Sequence, residues 1–228
     1  FFKTLAKLRH WVMLCVLASI WGSSFILIKR GLFSVDGTVL FTDFQVGAMR
    51  ILFAALFMMP IAAWRWKLLR GGRWKYFLAV GLFGNTLPAF LFATAQTHIP
   101  SALAGMLNAL VPVFSVLIAV FVFHVKVKPL QWTGIFIGLL AAAGILLAAG
   151  DFDDRPIHLG YASLVVAATM CYAISLNVIK QFLQKESAVA ITGLALILVS
   201  PIGAGVLMFT DFSYRVTEYD GAFFGLGA

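Results

Sequence analysis

The run ALAGMLNALVPVFSVLIAVFVF, residues 102–123, contains no charged residue and is long enough to cross a membrane as a helix. Similar runs cover residues 11–28, 44–64, 76–96, 130–150, 159–179 and 188–209, and another begins near Gly221. A hydrocarbon core of about 30 Å needs about 20 mostly apolar residues per helix, and no run alternates like a barrel strand. The sequence therefore predicts an all-α polytopic membrane protein with seven complete spans and the start of an eighth.

The overall composition excludes a soluble globular protein. Hydrophobic residues make up 62% of the chain and charged residues 11%, against about 45 to 50% and about 25% in soluble domains. The formal net charge of +8 comes from basic residues grouped in alternate loops, so it indicates membrane topology and attraction to lipid headgroups, with no nucleic-acid partner. Only Cys15 and Cys171 are present, both within apolar runs, which excludes a disulfide framework.

The distribution of charge between loops predicts the orientation. Most basic residues lie in the N-terminal segment and in loops around residues 65–75, 124–129 and 181–187. The opposite side holds every acidic residue except Glu186. Because basic loops stay in the cytoplasm, we expect a cytoplasmic N-terminus.

A weak internal repeat is present. WGSSFILIK at residues 21–29 matches YAISLNVIK at residues 172–180, and Pro60 corresponds to Pro201. We predict a first five-helix unit over residues 11–150 and a second over residues 157–228, inverted because five spans per unit is an odd number. Since helices six, seven and the start of eight do not complete a second unit, we expect the full protein to have ten helices.

Two spans combine an amide side chain with a helix-breaking proline. On the fourth span Asn108 precedes Pro112 by one turn, on a face shared with Ser101, Gly105 and Ser115. On the third span Asn85 precedes Pro88. A proline frees a backbone carbonyl, which is tolerated in a membrane only where it faces protein or water. These breaks favour a polar site near the midplane, and packing between helices is the alternative.

The first and sixth spans add further cavity candidates. Trp21 and Ser24 share one face of the first, and Tyr172 and Ser175 lie on the sixth. The predicted cavity residues are, in order, Asn108, Asn85, Trp21, Tyr172, Ser24 and Ser175, with Pro112 and Pro88 as the breaks. For each of them a role in packing is an equal alternative.

Other residues are assigned structural roles. Gly134, Gly138 and Ala142 form a small-residue stripe that predicts close helix packing, within one chain or in a homodimer. We expect Arg50 to pair with Asp43, with lipid headgroups or the outer cavity mouth as alternatives. His98 and His124 are loop-edge residues without companion ligands, so we predict neither a metal nor a cofactor site.

Several segments in order resemble the EamA-like family of the drug/metabolite transporter superfamily. They are WGSSFILIK at residues 21–29, GAMRILFAALFMMP at 47–60, AQTHIPSALAGMLNALVPVFSVLIAV at 95–120, and residues 131–144 with Gly134 and Gly138. The resemblance implies ten helices in two inverted units and movement of a solute through a central cavity. Many members carry a Glu before the fifth span, where this chain has HVKVK at residues 124–128, so a role for that carboxylate does not carry over.

The resemblance implies a secondary transporter of the bacterial cytoplasmic membrane, exporting or exchanging small polar or amphiphilic metabolites such as amino acids. Transport of nucleotide-sugars or drugs, and a non-transporting structural or assembly subunit, are the alternatives. An enzyme is disfavoured because the span interiors contain no His, Asp or Glu from which to build an acid–base or metal site. For the same reason we expect facilitated diffusion or exchange without a proton site in residues 1–228.

Overall fold

The computed structural model describes residues 2–34, 38–148 and 159–210. Within these ranges the chain is almost entirely helical, with one isolated antiparallel bridge between Phe33 and Val39. The α-helices are α1 (Phe2–Leu32), α2 (Asp43–Arg65), α3 (Trp74–Gly81), α4 (Leu87–Ala95), α5 (Ser101–Asn108), α6 (Val111–Phe121), α7 (Pro129–Ala148), α8 (Leu159–Val178) and α9 (Ala188–Met208). A 3-10 turn covers Trp66–Leu69, and π-turns cover Leu82–Thr86 and Ile179–Leu183.

Within the described residues, six helical segments are long and apolar enough to cross a bilayer. They are His10–Leu32, Asp43–Leu69, Trp74–Ala95, Ser101–Phe121, Leu159–Leu183 and Ala188–Met208. The predicted run at residues 130–150 coincides with α7, of which Pro129–Ile145 counts as a shorter apolar helix. The run beginning near Gly221 lies outside the described residues. The membrane-helical class is thus confirmed, and the ten-helix repeat stays a prediction.

Side-chain caps fix where two of the spans begin. At the start of α2, the backbone N–H of Gln45 donates to Thr42 Oγ1 at 3.3 Å, and the backbone N–H of Thr42 donates to Gln45 Oε1 at 2.9 Å. At the start of α9, the Ala190 N–H donates to Ser187 Oγ at 3.3 Å. These bonds satisfy backbone donors that the first turn of a helix leaves without partners.

Both predicted helix breaks are present. In the third span a π-turn separates α3 from α4, and Pro88 lies in the first turn of α4. In the fourth span α5 ends at Asn108, and Pro112 lies in the first turn of α6. A proline in the first turn lacks only a donor that has no helical partner there. Each break therefore leaves a polar residue, Asn85 or Asn108, beside irregular backbone.

The later helices pack between the earlier ones. α9 lies against α2 and α3, and α8 lies against α4, α5 and α6. One apolar core surrounds Phe92, Leu107 and Val165, and a second surrounds Phe77 and Leu194. Close contact explains one glycine, because a Cβ at Gly81 would lie 2.6 Å from the Ala195 carbonyl oxygen.

The first helix contributes to this core only through its later turns. Ile28 and Leu32 are buried, and Phe25 packs against the core around Phe92. From His10 to Ser23 every side chain is exposed in the described structure.

Candidate functional site

Four buried polar atoms have no hydrogen-bond partner within the described residues. They are Arg50 Nη1, Thr86 Oγ1, Gln96 Nε2 and Asn108 Oδ1. They lie on α2, in the first π-turn, just after α4 and at the end of α5. A buried polar group without a partner is costly, and hydrocarbon offers no substitute. The interior of the bundle therefore presents polar atoms free to bind water or a solute.

Arg50 lies two turns inside α2 and faces the sixth predicted span. Its guanidinium interacts electrostatically with Tyr172 on α8. The centroid of the Tyr172 ring is 6.1 Å from that of Phe92 on α4, which is in turn 5.3 Å from that of Phe25 on α1. We call Arg50, Tyr172, Phe92 and Phe25 the Arg50 cluster. It brings one positive charge on α2 and one phenol on α8 to an aromatic wall built from α1, α4 and α8.

The expected ion pair between Arg50 and Asp43 is wrong. Asp43 Oδ2 accepts a hydrogen bond of 2.6 Å from Thr94 Oγ1 on α4 instead. Among the described residues, Arg73 and Glu186 do form an ion pair. The two residues are about two helical turns apart on α2, and the Asp43 carboxylate is used by a hydroxyl group of another helix.

The two predicted asparagines differ in how their amides are used. Asn85 is half-buried, and its Nδ2 donates a long bond of 3.4 Å to the Val80 carbonyl across the π-turn. Asn108 is also half-buried, and its Oδ1 has no partner among the described residues. Asn85 thus supports irregular backbone, whereas Asn108 presents an acceptor to the interior.

The remaining predicted residues divide between packing and exposure. Ser175 is buried against Gly84, where a side chain would collide with its hydroxyl. Ser24 Oγ donates to the Trp21 carbonyl at 2.7 Å, and Trp21 itself is 60% exposed. Pro88 is fully buried, whereas Pro112 is exposed. Of the predicted set, only Tyr172 belongs to the Arg50 cluster.

Sequence reasoning missed a buried amide on α8. Asn177 Nδ2 donates to the Ser115 carbonyl at 2.9 Å and to the Ala173 carbonyl at 2.8 Å. The side chain therefore joins α8 to α6. The available signal was an amide inside an apolar run, the same signal that singled out Asn108.

One end of α8 is held by a set of contacts that we call the clasp. Arg73 Nη2 lies 2.8 Å from Glu186 Oε1, which joins the start of α3 to the loop before α9. The Tyr76 and Phe182 rings stack with centroids 4.3 Å apart, and Phe123 lies 6.3 Å from Phe182. At the other end of α8, the Tyr161 ring stacks on His98 at 3.8 Å. Both ends of α8 are thus tied to earlier helices.

The small-residue stripe on α7 packs in part. A Cβ at Gly138 would lie 2.6 Å from Val113 on α6, and Ala142 is buried. Nothing lies within 4 Å of the Cβ position at Gly134. The later part of the stripe therefore packs against α6 within the chain.

An open groove lies away from the Arg50 cluster. It encloses about 640 Å³ between the start of α2 and the end of α9, and is bordered by Thr42, Asp43, Phe44, Pro201, Ile202, Gly205, Val206, Phe209 and Thr210. It is open and almost wholly apolar. A groove of this chemistry suits lipid or another helix better than a polar solute.

Comparison with known proteins establishes the family. The EamA-like transporter family matches residues 9–147, from the first span into α7. This chain belongs to that family. It is therefore an integral membrane protein of a transporter family rather than of a family of enzymes.

A bacterial relative matches over a longer range. Protein PagO of Salmonella typhimurium is 25% identical over 226 residues, covering 94% of this chain and 72% of PagO. No solved structure matches this chain. The similarity to PagO thus extends beyond α7 to the helices after residue 159.

Proposed function

We propose that this protein is a secondary transporter that exports or exchanges small polar or amphiphilic metabolites, amino-acid-like solutes above all. The observation that carries the proposal is the set of four buried polar atoms that have no hydrogen-bond partner among the described residues. In a helical bundle that only packs in lipid, such atoms cost stability and serve no purpose. A transport pathway, in contrast, needs donors and acceptors that bind solute in place of water. Membership of a transporter family supports the same conclusion.

The contacts at the ends of α8 support alternating access. The clasp joins α3 and α6 of the first predicted unit, residues 11–150, to the second, residues 157–228. The aromatic stack and the part-exposed ion pair are contacts of modest strength, about 1 kcal/mol each. Contacts of that size can break and reform during a transport cycle while α8 rocks against the first unit.

The loop charges support a cytoplasmic N-terminus, with the clasp on the cytoplasmic side. Similarity to a Salmonella protein is in keeping with a bacterial cytoplasmic membrane. A nucleotide-sugar transporter is disfavoured because a diphosphate calls for several cations, and Arg50 is the one basic side chain of the Arg50 cluster.

Reconstitution of the purified protein into vesicles tests the proposal. Vesicles with and without the protein are compared for uptake of labelled solutes. The panel contains amino acids, neutral solutes, sugar-nucleotides and cationic drug-like solutes. We expect saturable uptake of at least one amino-acid-like solute and faster uptake when unlabelled solute is preloaded inside. Uptake restricted to sugar-nucleotides or drugs contradicts the substrate class, and no saturable uptake of any solute contradicts transport.

A further inference from the structure

We infer that Arg50 and Tyr172 form an anion subsite that binds the carboxylate of the transported solute, an inference that rests on the proposed function. Arg50 Nη1 is buried and has no hydrogen-bond partner in the described residues. A guanidinium inside a membrane bundle is costly unless an acceptor or a counter-charge accompanies it. A bound carboxylate would be such an acceptor, and the subsite offers it a fixed positive charge and a neighbouring phenol.

The carboxylates of the described residues are engaged elsewhere. Asp43 accepts from Thr94, and Glu186 pairs with Arg73 near the far end of α8. Neither neutralises Arg50. Tyr172 interacts electrostatically with the guanidinium, and its hydroxyl is a neutral donor and acceptor in the phenol form. An incoming carboxylate satisfies both side chains, because its oxygens accept from the guanidinium and from the phenol.

The neighbouring rings define the rest of the ligand. Tyr172, Phe92 and Phe25 form a continuous aromatic wall, with successive ring centroids 6.1 and 5.3 Å apart. An apolar body attached to the carboxylate packs on this wall and displaces water from the charge pair. Displacement of water strengthens that pair. The favoured ligand is therefore a monocarboxylate with an apolar or aromatic substituent.

Protection of Cys171 gives a direct test of binding. This half-buried thiol precedes Tyr172, and replacement of the exposed Cys15 by Ser leaves it as the only cysteine. The protein is placed in vesicles of neutral phosphatidylcholine, and alkylation by N-ethylmaleimide is timed with phenylacetate or with the uncharged phenylacetamide. We expect phenylacetate to slow alkylation and phenylacetamide to have little effect.

Substitutions then test whether the positive charge of Arg50 binds the carboxylate. In Arg50→Gln the phenylacetate concentration for half-protection should rise at least about tenfold, the loss expected for one charge-assisted bond. Arg65→Gln is the matched control, because Arg65 lies on the same helix at its exposed end and contacts the Trp64 ring. It should leave protection unchanged.

The outcomes separate the two proposals. The subsite is overturned if phenylacetate and phenylacetamide protect Cys171 equally, if neither protects it, or if protection by phenylacetate is undiminished in Arg50→Gln. The comparison of the two probes is made on protein that retains Arg50, so it does not depend on the folding of Arg50→Gln. Slow alkylation caused by phosphatidylglycerol alone assigns the site to a lipid headgroup and also overturns it. Failure of the vesicle uptake panel, with protection intact, contradicts transport and leaves carboxylate binding standing.

Discussion

Two asparagines of the bundle interior differ in their hydrogen bonds. Asn177 donates to carbonyls on α6 and α8, whereas Asn108 Oδ1 has no partner in the described structure. Removing a bonded amide breaks contacts that hold helices together. Removing an unbonded acceptor breaks none, and it takes away a group available to solute.

We predict opposite effects for their replacement by leucine. Asn177→Leu should lower the free energy of unfolding by about 1 kcal/mol, the usual size of a buried interhelical bond. Asn108→Leu should leave stability unchanged and reduce solute uptake several-fold. Thermal unfolding in detergent and uptake by vesicles measure the two effects. Equal loss of stability in both variants, or full uptake in Asn108→Leu, contradicts the assignment.

The sequence alone could identify polar residues within apolar runs but not their partners. Asn108 and Asn85 are such residues, and the same signal was available for Asn177. Whether an amide is bonded depends on a helix distant in the chain, as Asn177 depends on Ser115. The expected pairing of Arg50 with Asp43 is wrong for the same reason, because the hydrogen-bond partner of Asp43 is Thr94 on another helix.

At the scale of helices, the contact of α3 with α9 depends on one glycine. A Cβ at Gly81 would lie 2.6 Å from the Ala195 carbonyl oxygen and from Val199 Cγ1. The carbonyl belongs to a helix backbone and cannot move alone. We predict that Gly81→Ala lowers the free energy of unfolding by about 1 to 3 kcal/mol, as overpacking does.

Gly22→Ala is the matched control for this prediction. Gly22 also lies within a helix, and nothing is within 4 Å of its Cβ position. This variant should be neutral or slightly more stable, because alanine favours helix over glycine. Unfolding followed by circular dichroism in detergent compares the two. The close-packing argument fails if Gly81→Ala is as stable as Gly22→Ala.

The clasp leads to a prediction about how easily a polar reagent reaches the interior of the bundle. An aromatic stack contributes about 0.5 to 1.5 kcal/mol. An ion pair whose side chains are 38% and 17% exposed is screened and contributes about 1 kcal/mol or less. Phe182→Ala should therefore open the bundle more than Glu186→Gln does.

Alkylation of a cysteine placed at the buried Ser175 measures that opening. We expect an added polar reagent to react fastest in the Phe182→Ala background and at an intermediate rate in Glu186→Gln. Phe121→Ala is the control, because Phe121 ends α6 near the clasp and is 67% exposed. If all three backgrounds react equally, the clasp does not restrict access.

Span positions were predictable to within a few residues because hydropathy follows the bilayer. The interruptions were predictable in part. Pro88 indicated a break in the third span, but not that a π-turn would precede it. The π-turn at Ile179–Leu183 has no proline nearby and was not foreseen. Its position depends on packing of Phe182 and Leu183 against other helices, which the local sequence does not encode.

At the scale of the whole molecule, the alternating loop charges lead to a topology prediction. In a chain without native cysteines, Thr38→Cys should react with a membrane-impermeant maleimide added to intact cells. Lys126→Cys should react only after the cells are opened, because its loop belongs to the basic side. The opposite pattern contradicts a cytoplasmic N-terminus.

Energy coupling is a second property of the whole molecule. The span interiors contain no Asp, Glu or His, and Asp43, at the first residue of α2, is bonded to Thr94. Proton-driven carriers need such a group at depth. We predict that a pH gradient imposed on vesicles does not drive uphill uptake through residues 1–228, while preloaded solute accelerates exchange. Gradient-driven accumulation abolished by a substitution within these spans contradicts this prediction.

The exposed first half of α1 affects which substitutions this sequence can accumulate during evolution. From His10 to Ser23 the helix meets no burying neighbour in the described structure, so lipid selects for hydrophobicity there and not for shape. Exchanges among Leu, Ile, Val, Met and Phe are nearly neutral on such a surface. At Phe25, Ile28 and Leu32, by contrast, an exchange meets a packed core. The tolerance of α1 to neutral variation should therefore fall sharply within a single turn.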